Sequence, residues 1–518
     1  MKTNILLLFL ITVLGACHSS SQKNILTISN GAFVDGSGRE VILNGINHVN
    51  KNAEQNHIDP DDEEILTQFR DWGFNIVRFG INWAELEPEP GVINEHYLRQ
   101  IDKRVQWAEE LGIWLYLDFH QDLYGGTMGN GAPQWATITD GEEHVKGDIW
   151  SDSYVLSGAV HRAFDNFWEN RITSDGLGLQ DHYLNCLKLV SQRYKSSPSV
   201  AGYDVMNEPF MGSRSVDVFP ALISGYVQGL KKSRGEVLTL EEVASKWSVG
   251  EDKMQIFEAL NDKAIFNEMV CAADSIVNSF EKNTLSAFYQ RARDAIRSTG
   301  SQQIIFLEHN YFSNLGVPSR FSMPVDTDGN VDKRCCYAPH GYDLVTDSKN
   351  NTRQGYGRVE FIFEQIVRNA VSKASPVIVG EWGAYYSGEK AFTAASKHTI
   401  QIFEAQKISQ SYWSYWKGIG EHEYFATTIV RNYPMVTNGE LMMYKNDFEN
   451  NHYTQKWKES PDNKSVTRIF VKDINRCEIK LLPKSDFKKI SISGSDNGYL
   501  EIEPLGENRE LVITPLNR

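Results

Sequence analysis

The chain has 518 residues, 41% of them hydrophobic, and a formal net charge of -15 at pH 7. That length exceeds one ordinary domain and allows a large core plus an appended unit. A surface this acidic repels polyanions, which argues against nucleic acid as a partner and leaves neutral ligands open.

The N-terminus is read first. Met1-Lys2 is basic and residues 5–14 are almost wholly apolar, a run too short to span a bilayer permanently but laid out like a signal-peptide core. Leu14-Gly15-Ala16-Cys17 resembles a bacterial lipobox. The resemblance implies a signal peptide over 1–16, acylation of Cys17 and a flexible tether over 17–24. The expected location is the cell envelope, as an outer-membrane lipoprotein held by its lipid. The alternative is plain secretion after cleavage at Ala16.

Residues 25–41 read as a hairpin, with Asn30-Gly31 and Asp35-Gly36-Ser37-Gly38 as turn signals. Eight short apolar runs follow, at 41–46, 75–79, 114–119, 200–206, 303–307, 337–342, 377–380 and 409–416. They alternate with helical stretches such as 61–72, 95–111, 181–194, 285–298, 358–372 and 390–404. The alternation implies parallel pairing, and the count suits closure. The expected fold class is therefore α/β, a (β/α)8 TIM barrel. The first run is not followed by a dinucleotide glycine fingerprint, which argues against a doubly wound nucleotide binder.

Two connections, 121–180 and 210–283, far exceed the usual few residues, and the second carries helical stretches at 240–247 and 254–265. Long loops after barrel strands sit on the C-terminal face, where binding sites are built. Asn432-Tyr433-Pro434 and Thr437-Asn438-Gly439 mark a boundary. Beyond about residue 462, short alternating segments at 466–471, 478–482, 489–493, 499–502 and 510–513 predict a small β-sandwich. The expected organisation is a catalytic barrel over 25–433 and a β-sandwich domain over 434–518.

With Cys17 acylated, Cys186, Cys271, Cys335, Cys336 and Cys477 remain, an odd set that forbids complete pairing. Adjacent Cys335 and Cys336 are expected as two buried thiols rather than a vicinal bridge. No Cys/His spacing suggests zinc, so neither a metal nor a cofactor is expected. Nothing in the sequence sets the oligomeric state.

Polar residues fall at the ends of the apolar runs: Arg78; Asp118, His120 and then Asp122; Asn207-Glu208-Pro209; Glu308-His309-Asn310; His340 and Tyr342; Glu381-Trp382; Trp413 and Trp416. In a parallel barrel these ends converge on one face. Taken singly, Asn207-Glu208-Pro209 is equally a helix start, with Asn207 as N-cap and Pro209 in the first turn. A lone Glu381 is equally a buried ion-pair partner. Two glutamates closing the fourth and seventh strands are harder to dismiss. Glycoside hydrolysis needs such a pair, one carboxyl protonated to serve the leaving oxygen and one ionised. On this reading Glu208 is the acid/base and Glu381 the nucleophile. Arg78 keeps Glu381 ionised, Tyr342 donates to it, and Asn207 holds a sugar 2-hydroxyl. His120 and His340 are either site or core histidines. Trp413 offers a flat wall for a sugar ring, whereas Trp416, on the opposite parity, reads as packing.

Arg78, His120, Asn207-Glu208, His340, Tyr342, Glu381 and Trp413 resemble the residue set of glycoside hydrolase family 5, over about 42–433. Within it the resemblance is strongest to endoglycoceramidases and related glycosylceramidases. It is carried by Leu117-Asp118-Phe119-His120-Gln121-Asp122-Leu123-Tyr124-Gly125, Gly131-Ala132-Pro133-Gln134-Trp135-Ala136, Ala163-Phe164-Asp165-Asn166-Phe167-Trp168 and Tyr337-Ala338-Pro339-His340-Gly341-Tyr342-Asp343. The resemblance implies a retaining hydrolase that cleaves the β-glucosidic bond between oligosaccharide and ceramide in glycosphingolipids. It further implies sugar contacts from Lys51, Asp118, Asp122 and Trp168.

The long helical connection after Pro209 departs from that pattern. It reads as part of a lipid-facing lid or as a determinant of the headgroup accepted. Phe210, Met211, Tyr311, Phe312, Leu315, Tyr385, Tyr386, Tyr424 and Phe425 either line a groove for lipid chains or pack loops onto the barrel. Alternatives are a β-glucanase or β-mannanase of the same family, a glucosylceramidase taking a single sugar, and a non-catalytic glycan-binding lipoprotein. The last has no reason to carry both strand-end glutamates with Arg78 and Tyr342.

Overall fold

The structure is a computed structural model that describes residues 25–247 and 250–516. The signal-peptide and lipobox reading, Cys17 included, lies outside these residues.

Eight parallel strands form the barrel: β4 (Asn44–His48), β5 (Ile76–Ile81), β6 (Trp114–Phe119), β7 (Val200–Asp204), β8 (Ile304–Leu307), β9 (Cys335–Tyr337), β10 (Ile378–Val379) and β11 (Ser409–Tyr412). The barrel numbering starts at β4 because β1 (Thr27–Ser29), β2 (Ala32–Val34) and β3 (Glu40–Val41) come first and make up the N-terminal hairpin segment. Every position of β5 and β6 is buried, the signature of a parallel strand covered on both faces. Parallel bridges Tyr337↔Val377 and His340↔Glu381 close the cylinder between β9 and β10. The predicted helices are present with shifted ends, for example Asp62–Asp71, Glu95–Leu111 and Lys390–Gln406. No helix among the described residues is long and apolar enough to cross a membrane.

One expected boundary is corrected. The hairpin does not belong to the barrel segment 25–433; it joins a seven-stranded sheet in the order β1-β2-β3-β12-β15-β18-β17. That sheet adds β12 (Tyr433–Thr437), β15 (Thr467–Val471), β17 (Phe487–Ser491) and β18 (Gly498–Ile502). A second sheet of four comprises β13 (Glu440–Asp447), β14 (His452–Lys458), β16 (Cys477–Leu482) and β19 (Asn508–Pro515). The driving force is burial: Leu26, Phe33 and Val41 cluster with Leu43, Ile76, Trp114, Ile304 and Val436, sealing one end of the barrel. Residues 433–437, read as a boundary, form an interior strand despite Pro434. The register shifts between Pro434 and Val436, and such a bulge is where a strand tolerates proline.

Barrel and sandwich meet tightly. Gly73 sits at φ +84°, and a Cβ there would lie 2.5 Å from the Phe470 ring, so only glycine lets that ring seat. The Tyr433 hydroxyl donates to the Gly73 carbonyl at 2.6 Å. All five described cysteines are free, with Cys335 and Cys336 buried as thiols.

The connection after Pro209 forms helices Val218–Arg234, Leu240–Trp247, Gly250–Ala259 and Lys263–Phe280. The first and last pack backbone to backbone: a Cβ on Gly225 would lie 2.5 Å from the Glu268 carbonyl oxygen.

Candidate active site

Arg78, on β5, has no exposed surface and is ringed by carboxylates from four other strand ends. Its Nε donates to Asp204 at 2.9 Å and its Nη2 to Glu308 at 2.7 Å. Nη2 also lies 2.9 Å from Asp118 and donates to Asn207 Oδ1 at 2.9 Å, and Nη1 donates to Glu381 Oε1. A guanidinium supplies five donors in a rigid fork, so it alone fixes several groups at once. Burial pushes the Asp204 carboxyl well up, and the neighbouring Glu308 adds to the push. Burial opposes ionisation of Asp118 too, yet Arg78 and His120 hold its carboxyl below the usual range.

Glu381 follows β10 and is nearly buried. Its Oε2 accepts from the Tyr342 hydroxyl at 2.7 Å, so Arg78 and Tyr342 hold one oxygen each. Burial, and then the charge of Glu381, push the Tyr342 phenol well above its ordinary value, which keeps it a donor. Glu208 follows β7 with φ at +42°, a left-handed conformation costly for a residue with a Cβ. It is held there by its own N–H, which donates to Glu308 Oε2 at 2.7 Å, and by Gln121, whose amide donates to the carbonyls of Asn207 and Glu208. Glu208 Oε1 accepts from Asn314 at 2.7 Å and from His340 Nδ1 at 2.9 Å.

Burial raises the Glu208 carboxyl above its ordinary range, and repulsion from Glu381 and Glu308 adds to this against the His340 hydrogen bond. Burial works against charge on His340, but Glu308, Glu381 and Glu208 together push its pKa well up. One ligand oxygen of Glu208 and one of Glu381 lie within 4.8 Å of each other. So close an approach fits the spacing of about 5–5.5 Å that suits double displacement better than the 6.5–9.5 Å or so that admits a water between the carboxyls.

The pair opens on a cavity of about 290 Å³. Lys51, His120, Asp122 and Trp413 form one cluster of its lining, and Phe219, Leu222, Trp247, Phe257, Met269 and Val270 from the long insertion add an apolar part. The Lys51 ammonium lies 2.7 Å from Asp122 and 4.7 Å over the Trp413 ring. His120 stacks on Trp413 at 5.4 Å and 14°. Asp118 and Asp122 push His120 up to about 9 against burial, which alone lowers it.

The sequence pattern of Cellulase (glycosyl hydrolase family 5) matches residues 34–418. The chain belongs to that family. Like other family 5 members it is a glycosidase, and its relatives agree in kind. It is 24% identical to endoglycoceramidase I of Rhodococcus hoagii over 463 residues, covering 86% of this chain and 79% of that one. It is 30% identical to the endoglycoceramidase of Cyanea nozakii over 212 residues, 35% of this chain and 40% of the other. In fold it resembles endo-glycoceramidase II from Rhodococcus sp. in its ganglioside GM3 complex, at 22% identity and TM-score 0.70, with 94% and 100% of the two chains covered.

In this family 5 site the structure brings Glu208, Glu381, Asn207, Tyr342, His120, Asp122, Lys51 and Trp413 to the cavity wall. Four residues expected as substrate contacts are corrected. Arg78, Asp118 and His340 are wholly buried beneath the wall, engaged with the carboxylates and His120, and meet a sugar only through those groups. Trp168 lies away from the cavity. Its indole N–H donates to the Phe210 carbonyl at 2.7 Å and its ring sits edge-on against Phe280 and Phe288. The helix-start reading of Asn207 also fails, because its side chain is taken by Arg78 and by the Gln121 carbonyl. Of the loop residues, Tyr311, Phe312, Leu315 and Tyr386 line the cavity. Phe210, Met211, Tyr385, Tyr424 and Phe425 pack in the core.

Sequence reasoning passed over Glu308, Asp204 and Asn314. Glu308 ends the fifth barrel strand and touches Arg78, His340 and the Glu208 backbone. Its strand-end position was visible, but its geometry identifies a support for Glu208 rather than a substrate contact. Asp204 was hidden inside an apolar run, where a charged residue at the burial pattern of β7 was itself the signal.

Proposed function

We propose that this family 5 hydrolase is a retaining endoglycosylceramidase, cleaving the β-glucosidic bond between oligosaccharide and ceramide in glycosphingolipids. The observation that carries the reading is one cavity that joins the carboxylate pair to six apolar side chains of the insertion. A soluble polysaccharide has no use for the apolar part; two hydrocarbon chains do. The endoglycoceramidase relatives support the same substrate class.

In this mechanism Glu381, ionised beside Arg78, attacks the anomeric carbon while Glu208 gives its proton to the departing ceramide oxygen. A covalent glycosyl-enzyme forms and the C–O bond to ceramide breaks. Glu208, now a carboxylate, takes a proton from water, whose oxygen displaces Glu381 and releases the oligosaccharide. Asn314 and His340 both engage Oε1 of Glu208, so the catalytic proton is carried by Oε2. Tyr342 and Arg78 restrain Glu381 for attack.

The reading is tested with a glycosphingolipid panel in detergent, with products identified by mass. Intact oligosaccharide and free ceramide are expected; release of single glucose only, or preference for soluble cellulose or mannan, overturns it. Trp247 meets Phe219 and Phe257 edge-on in the apolar part. Trp247→Ala should lower kcat/KM on glycosphingolipid by about ten-fold, the worth of one large apolar contact. An aryl lactoside, which has no chains, should change far less. Because the raised Glu208 carboxyl is the acid, the basic limb of the kcat/KM profile should lie above the usual glutamate range. In Glu208→Gln, assayed with a good leaving group, that limb should vanish.

The lipobox-like segment supports acylation of Cys17 and residence at the envelope membrane, close to lipid substrate. Labelled fatty acid should enter the wild-type chain and not Cys17→Ser; equal labelling would refute the anchor.

A further inference from the structure

A second cavity, of about 690 Å³, lies beside the first, and Lys51 lines both. Its walls come from the segment after β4 and the segment after β11. Trp72, Tyr415 and Trp416 present half-buried rings to it. Trp416 packs against the core and His422, as expected, and also lines this cavity. The volume is in the range of small-ligand sites.

Position gives this cavity a role. On the endoglycosylceramidase reading, on which this inference rests, the chains lie toward Phe219 and Trp247 and the scissile bond lies between Glu208 and Glu381. The first sugars then meet Trp413 and Lys51. Because Lys51 lines both cavities, a longer glycan that passes it enters the second.

Charge sets what it takes. Asp59, Asp61, Glu64 and Glu421 line it against two ammonium groups. Both are engaged, Lys51 with Asp122 at 2.7 Å and Lys417 with Asp61 at 3.7 Å. Exposed carboxylates accept hydrogen bonds from neutral sugar hydroxyls and repel a carboxylate. We propose that the second cavity receives the headgroup sugars beyond those held at Trp413, and that it favours uncharged glycans over sialylated ones.

The test compares kcat/KM for lactosylceramide, a neutral tetraosylceramide and sialyl-lactosylceramide. At about 20 mM salt the neutral tetraosyl substrate should exceed the sialylated one by about three- to ten-fold, and the gap should narrow near 0.5 M, where such charges are screened. In the double variant Glu64→Gln, Glu421→Gln the sialylated-to-neutral ratio should rise. Both substrates are read on one preparation, so the ratio is insensitive to the folded fraction. Trp416→Ala should lower the tetraosyl-to-lactosyl ratio. An unchanged sialylated-to-neutral ratio in the double variant, with lactosylceramide still cleaved, overturns the inference while leaving the enzyme reading intact. Failure to cleave any of the three overturns both.

Discussion

Glu381→Gln is expected to lower turnover on the order of 10⁴–10⁶-fold, the range seen when an activated nucleophile is removed. The amide keeps the shape and the contact with Tyr342 but cannot attack the anomeric carbon. It also turns an acceptor facing Arg78 into a group that is half donor. Glu381→Gly goes further and opens space on that face of the sugar. Azide supplied to it should restore part of the rate and release the inverted glycosyl azide, by one displacement instead of two. A product of retained configuration would assign Glu381 the other role, and a near wild-type rate in Glu381→Gln would remove it from the chemistry. Proximity to Glu208 within 4.8 Å is what makes the stereochemical outcome a strict test.

Arg78→Met should be the most destabilising single change at the site, by about 3–5 kcal/mol at neutral pH, because it strips the guanidinium from a buried cluster rather than replacing the whole cluster. Asp118, Asp204, Glu308 and Glu381 all face that one side chain, and His340 reaches only two of them directly. Burial already raises the Asp204 carboxyl with Arg78 in place, and at Asp118 Arg78 opposes the same effect of burial, so loss of the guanidinium raises both. A group raised in this way favours folding only below its unfolded pKa, and that contribution is lost as pH rises through the folded value. The deficit of the variant should therefore shrink as pH falls from 7 toward 5. Urea midpoints of wild type and variant at the two pH values measure it. An equal deficit at both would mean that packing, not charge, is what Arg78 supplies. Activity should fall with stability, since Glu381 loses its main restraint.

Much of this was open to reading from residue order, because period and punctuation are local. Apolar runs separated by helical stretches specify eight parallel strands, and one strand-end glutamate after the fourth and another after the seventh specify which face carries the chemistry. The five alternating segments after residue 462 likewise mark β structure. What residue order left out is long-range. Nothing near residues 25–41 says that the hairpin pairs with Val436 across the whole chain, because strand partners are chosen by burial of Leu26, Phe33 and Val41 against the barrel end. Pro434 concealed β12 until the bulge beside it was placed.

At the site, residue types pointed to a family but not to layers. Arg78, Asp118 and His340 have the chemistry of sugar ligands, yet depth along the barrel axis puts them one layer below the wall, where they orient the groups that touch substrate. Trp168 has the right side chain and the wrong surroundings. Glu308 holds the backbone of Glu208 in a left-handed turn, a role visible only once strands five and four are side by side. Residue order thus decided fold class and enzyme class, and pointed to the two carboxylates that the fold brings together. Tertiary structure alone decided which side chains face the cavity, which side chains of the insertion join it and what sits beyond Lys51, since those depend on distances between segments that sequence separation does not encode.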